Sequence, residues 1–168
     1  MASAVGVGTT LDLYLPAARK SGSEEKAPPP ARVPPHGRVL VMDDEAGVRE
    51  VIGRILSGMG HEVALAQDGR MAIAVYQTAK LQGHRFDVVI LDLTIHEGIG
   101  GRETLQELLK LDPRVKAIAM SGYALDPVML EPERHGFKGV LAKPFEIEKL
   151  RENLARIMYI PTCSKPAP

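Results

Sequence analysis

Cysteine occurs once in this 168-residue chain, at Cys163 in a polar, proline-containing tail, so neither a disulfide framework nor a cysteine-based zinc site can be built from it. A reducing compartment suits such a chain, and a cytoplasmic location is the expectation. Net charge is also lacking: Lys plus Arg number 21 and Asp plus Glu 21, which cancel, and no run of basic residues appears. Direct contact with nucleic acid is therefore not expected. No apolar stretch approaches the roughly 18 residues of a membrane span, and no basic segment followed by an apolar core opens the chain, so we expect a soluble, unexported protein. Phosphate-cradling glycines are absent as well. Gly98, Gly100 and Gly101 cluster in HEGIGG without the G-x-G-x-x-G spacing and read as a loop before a helix.

What is present divides unevenly along the chain. Residues 16–37 carry Pro16, Pro28, Pro29, Pro30, Pro34 and Pro35 and almost nothing to bury, which predicts a semi-rigid linker. Before it, Thr10 to Leu15 alternates like a half-buried strand with Leu11, Leu13 and Leu15 on one face, a strand with no sheet of its own. Residues 38–159 follow a regular pattern, and 160–168 form a tail. With 45% hydrophobic residues over its whole length, the chain can bury one core, and the regular part is where it falls.

Within 38–159, the runs RVLVMD, HEVALA, FDVVILD, KAIAMS and GVLAK read as strands, with His61 a strand-start residue. Helical faces lie between them: Val48, Val51, Ile52, Ile55, Leu56 and Met59; then Met71, Ala72, Val75, Tyr76 and Ala79; then Leu105, Leu108 and Leu109; and last Ile147, Leu150, Leu154, Ile157 and Met158. The fourth connection opens on Asp126-Pro127, a good cap and first-turn pair, but Pro132 follows and should shorten the helix. Alternation of this kind predicts an α/β fold, a doubly wound five-stranded parallel sheet with helices on both faces.

The strand ends carry the chemistry. Asp43 and Asp44 close the first run, Asp92 the third, Ser121 the fourth and Lys143-Pro144 the fifth. In a parallel sheet these ends share one edge, where open α/β sheets place their sites. Carboxylates gathered there repel by roughly 4 kcal/mol per pair at 4 Å and an effective dielectric of 20. A hard divalent cation relieves this, and Mg²⁺ suits carboxylate, carbonyl and water ligands.

Taken together, Asp43-Asp44, Asp92, Ser121 and Lys143-Pro144 at successive strand ends resemble the receiver (response-regulator) domain of two-component signalling systems, over Arg38 to about Met158. The resemblance implies a flavodoxin-like sheet of strand order 2-1-3-4-5. It implies a phosphoryl group passed from a phosphohistidine, on a histidine kinase or a histidine phosphotransfer protein, to Asp92 with Mg²⁺ assistance. By the same resemblance Asp44, Asp92 and the Thr94 backbone carbonyl bind the metal and Asp43 holds it through water. Ser121 would bond a phosphoryl oxygen, Lys143 would pair with phosphate charge, and the Lys143–Pro144 bond would be cis. Such a domain catalyses its own phosphorylation and dephosphorylation.

Singly, each residue has a plainer reading: Asp44 as a helix cap, Asp92 as a turn residue, Ser121-Gly122 as a loop, Lys143 as a solvated lysine. Two other functions compete with the phosphoacceptor. A pseudo-receiver acting only as an interaction module is opposed by the intact Asp44, Asp92, Ser121 and Lys143. A small Mg²⁺-dependent aspartyl phosphatase would need an acidic D-x-D at the first strand, whereas the chain has Asp92-Leu93-Thr94 after the third. The chain departs from the receiver pattern where His96 replaces the usual proline four residues beyond Asp92, which predicts a looser loop. Val140 replaces the aromatic common three residues before Lys143, so no aromatic switch operates there, and a monomer or weak dimer is expected. Finally, GVGTTLDLYLPA resembles the last strand of a sensor histidine kinase's ATP-binding domain. Residues 1–15 would then be a remnant of that domain, and the whole the C-terminal receiver of a hybrid kinase with no output domain following.

Overall fold

The structure, a computed structural model, describes residues 2–4, 8–10, 37–96 and 98–159. The chain forms two units, Met1–Pro30 and Ala31–Pro168. In the first, β1 (Ala2–Ala4) pairs antiparallel with β2 (Gly8–Thr10), with Ala2 opposite Thr10. Thr10, where the expected strand begins, is thus paired with Ala2. Leu11, Leu13 and Leu15, the linker up to residue 36 and the tail from 160 lie outside the described residues.

The second unit is built on five parallel strands, β3 (Arg38–Met42), β4 (Glu62–Ala66), β5 (Val88–Asp92), β6 (Ala117–Ser121) and β7 (Gly139–Ala142). They lie in the order β4-β3-β5-β6-β7, which is the expected 2-1-3-4-5 counted within this unit. Helices α1 (Ala46–Gly58), α2 (Gly69–Leu81), α3 (Gly101–Leu111), α4 (Pro127–Leu130) and α5 (Ile147–Met158) connect and follow them.

Side chains of a strand alternate between faces, so consecutive apolar residues feed two cores. Leu40, Met42, Val89, Leu91, Ala117 and Ala119 pack with Ala72, Tyr76, Leu105, Leu108 and Val128, from α2, α3 and α4. Val39, Val41, Val88, Ile90, Ile118 and Met120 pack with Ile52, Leu56, Leu150, Leu154 and Ile157, from α1 and α5. The central strand β5 is buried along its whole length, which explains its unbroken apolar run. Each such Val, Leu or Ile contributes roughly 1.5–3 kcal/mol on burial.

Three of the residues assigned to helical core faces prove peripheral. Val51 is 54% exposed, Met71 44% and Ile147 43%. Ile52 and Leu56 in α1, and Ala72, Tyr76 and Ala79 in α2, define the stripes that meet the sheet, and Val51 and Met71 stand one residue round from them. The fourth connection behaves as its prolines dictate. Asp126 accepts from the Val128 N–H at 2.8 Å to start α4, which stops after one turn; a 3₁₀ turn, Pro132–His135, follows and closes on Gly136 at φ 85°.

Candidate functional site

Parallel strands end on one edge, and there Asp43, Asp44, Asp92, Ser121 and Lys143 assemble. The register fixes their relative height: Asp92 pairs with Met120 and Ser121 with Ala142. A common local device turns three of these side chains back over their own loops. Asp43 Oδ1 accepts from the Glu45 N–H at 2.9 Å, Asp92 Oδ1 from the Thr94 N–H at 3.1 Å, and Ser121 Oγ from the Tyr123 N–H at 3.0 Å. Each is an i to i+2 bond of the kind short polar side chains make at turns.

Asp43 and Ser121 are fully buried and Asp92 is 2% exposed. Lys143 links the two carboxylates, its Nζ donating to Asp43 Oδ2 at 2.7 Å and to Asp92 Oδ2 at 2.6 Å. Its backbone N–H bonds the Ser121 carbonyl at 2.8 Å, and the Lys143–Pro144 bond is cis, as expected. One carboxylate oxygen from each of Asp43, Asp44 and Asp92 lies within 4.8 Å of the others. That donor set is all hard oxygen and fits a small divalent cation.

The electrostatics follow from burial and pairing. Burial pushes the Asp92 carboxyl above the ordinary carboxylate value, against the opposing pull of Lys143 and the Thr94 N–H. Burial would depress the Lys143 ammonium, but its bonds to Asp43 and Asp92, and their charges, raise it above its usual value. Partial burial works against ionising Asp44, yet bonds from the His96 backbone and ring bring its carboxyl below the usual value.

The plain reading of Asp44 as a helix cap does not hold, because Glu45 occupies the cap position of α1 and no side chain caps that end. Instead Asp44 Oδ2 accepts from the His96 N–H at 3.0 Å and lies 2.9 Å from His96 Nδ1. The residue standing where proline is usual thus ties its loop to Asp44. Arg49 was also missed: its Nη1 donates to the Asp43 carbonyl at 2.5 Å, one turn into α1. No pattern of spacing signalled either contact.

The family profile described as the response regulator receiver domain matches residues 39–155. This chain belongs to the receiver family. The receiver is 32% identical to the chemotaxis protein CheY of Thermotoga maritima over 121 residues, 71% of this chain and 96% of that protein. It is 27% identical to the sporulation initiation phosphotransferase F of Bacillus subtilis over 124 residues, 74% of this chain and 94% of that one. Among solved structures, it superposes with a TM-score of 0.64 on the receiver domain of the sensor histidine kinase PA1611 from Pseudomonas aeruginosa PAO1, at 25% identity over 73% of this chain and 98% of that one. That structure holds a magnesium ion coordinated in its active site cleft. The chain spans only 45% and 26% of two longer relatives. Among the described residues, no helix is long and apolar enough to cross a membrane.

Proposed function

We propose that this receiver accepts a phosphoryl group onto Asp92 from a phosphohistidine of a histidine kinase or histidine phosphotransfer protein, with Mg²⁺ held by Asp44, Asp92 and the Thr94 carbonyl and, through water, by Asp43. The observation that carries the reading is the bridge from Lys143 Nζ to Asp92 and Asp43, with Asp44 beside them at the sheet edge. An unpaired buried lysine or carboxylate would cost several kcal/mol. Here the buried Asp43 and Asp92 share the one ammonium of Lys143, and the partly buried Asp44 adds a third carboxylate within 4.8 Å, a charge balance that a divalent cation would complete.

In the transfer, a carboxylate oxygen of Asp92 bonds to phosphorus as the bond from phosphorus to the donor imidazole nitrogen breaks, and the electron pair leaves with the imidazole. A carboxylate is a weak nucleophile toward phosphorus, so the barrier falls through in-line positioning and neutralisation of the equatorial oxygens. When bound, Mg²⁺ supplies part of that neutralisation. Lys143 supplies the rest by turning from Asp92 to a phosphoryl oxygen. Ser121, its Oγ held by the Tyr123 N–H, has its hydroxyl proton to donate to another. The Thr94 N–H keeps Asp92 in its rotamer throughout.

The likeness to the receiver of a sensor histidine kinase, and the Gly8-Thr9-Thr10 sequence that forms β2, favour a parent hybrid kinase acting in the cytoplasm, with residues 1–15 belonging to the kinase part. Incubation with acetyl phosphate and Mg²⁺ tests the central claim. One hydroxylamine-sensitive phosphate is expected by mass spectrometry, absent in Asp92→Asn. Phosphate gained by that variant at the wild-type rate would refute the assignment.

A further inference from the structure

We propose that His96 is a positioning residue for Asp44, holding one of its oxygens so that the other faces the metal; this rests on the Mg²⁺ site proposed above. Of the three clustered carboxylates, Asp43 and Asp92 share the ammonium of Lys143. Asp44 has its own arrangement: the His96 N–H and the His96 ring both address Oδ2, at 3.0 and 2.9 Å. An ionised carboxylate can only accept, so Nδ1 carries the proton and both groups donate. With two donors on one oxygen, Oδ1 is left to the cation.

Outer-shell donors of this kind orient ligating groups, and their removal typically costs 10–100-fold in metal affinity. His96 stands where receivers usually carry proline. Proline has neither an N–H nor a side-chain donor, so this chain places two donors where the common pattern has none. The loop that carries them is secured on its far side, where its Ile99 carbonyl accepts from the Gly69 N–H at 3.1 Å. Asp44 is therefore tied, through His96, to the loop that leads from Asp92 into α3.

The His96 ring is 83% exposed, so water competes for its bond and the effect belongs at the low end of the range. Calorimetric titration of the full chain with MgCl₂ alone, at fixed pH and ionic strength, reads it directly. His96→Ala keeps the backbone N–H and should weaken Mg²⁺ binding about tenfold. His96→Asn can place its amide nitrogen near the Nδ1 position and should recover most of the loss, which a merely structural residue would not show. His96→Pro removes both donors and should bind most weakly. Metal-free melting of the Ala and Asn variants should stay near wild type. If His96→Ala binds Mg²⁺ as tightly as wild type, or if Asn fails to recover what Ala loses, the role assigned to His96 is wrong while the metal site stands. A wild-type chain that takes up no Mg²⁺ would instead overturn the metal-site reading and this role with it.

Discussion

Lys143 is the counter-charge to Asp43 and Asp92, and replacing it with methionine, which keeps the apolar stem and removes the ammonium, isolates that contribution. The Asp43 and Asp92 side chains are 0% and 3% exposed, and their nearest oxygens lie within 4.8 Å. At that separation and an effective dielectric of 20, two negative charges repel by about 3.5 kcal/mol. Breaking a fully buried pair costs roughly 3–5 kcal/mol. Two features reduce this. The Lys143 side chain is 22% exposed, so water reaches the site, and Asp92, whose carboxyl burial already pushes upward, can escape the repulsion by taking a proton. A loss of about 2 kcal/mol at neutral pH follows, or about 8 °C in Tm for a domain of this size.

The pH dependence has a definite sign. A carboxyl with a raised folded-state value holds its proton after the unfolded chain has released its own, so stability falls as pH rises from about the ordinary 3.8 through the folded value. Without Lys143 that window extends further upward. The gap between Lys143→Met and wild type should therefore be small near pH 4 and widen toward pH 7. Mg²⁺ should narrow it, because the ion replaces the missing charge; at ten times Kd it stabilises wild type by about 1.4 kcal/mol, and the variant should gain more. Thermal melts across pH, in chelator and in a Mg²⁺ series, measure both effects. Equal gaps at pH 4 and pH 7 together with an unchanged Mg²⁺ shift would refute Lys143 as the counter-charge.

Two further outcomes test the scaffold. Burial beside Asp112 pushes the Tyr76 phenol up to about 12, so the stability it contributes is fully present below pH 10 and is lost between 10 and 12; phenolate absorbance should show a late step that Tyr76→Phe removes, and its persistence in that variant would contradict the assignment. A Cβ at Gly101 would sit 2.6 Å from the Asp92 carbonyl oxygen, so Gly101→Ala should cost roughly 1–3 kcal/mol and slow phosphorylation, whereas Gly58→Ala, with nothing within 4 Å, should gain up to about 1 kcal/mol; equal melting temperatures would show that α3 can retreat from the site freely.

What could be read from the sequence is what a strand or a turn decides by itself. The run Val88 to Leu91 states that both faces of its strand are covered, and that alone calls for helices on two sides. Asp126-Pro127 and Pro132 dictate where α4 starts and stops without reference to anything distant. Strand ends of a parallel sheet share an edge by topology, so Asp43, Asp92, Ser121 and Lys143 could be gathered before any coordinate was known. Helix faces were legible only to within a residue: Val51 and Met71 are as apolar as their neighbours, and only the rotation of the helix against the sheet turns them to solvent. The contact from His96 to Asp44 was not legible at all, because it joins two loops 52 residues apart and exists only once β3 and β5 are paired. A missing proline could be seen in the sequence, but the pair of donors that replaced it could not. The same reasoning locates individuality in this family member: the strand ends that carry Asp43, Asp92, Ser121 and Lys143 are dictated by the fold's topology, while the hydrogen bonds that hold Asp44 depend on which residue happens to stand in the loop across from it.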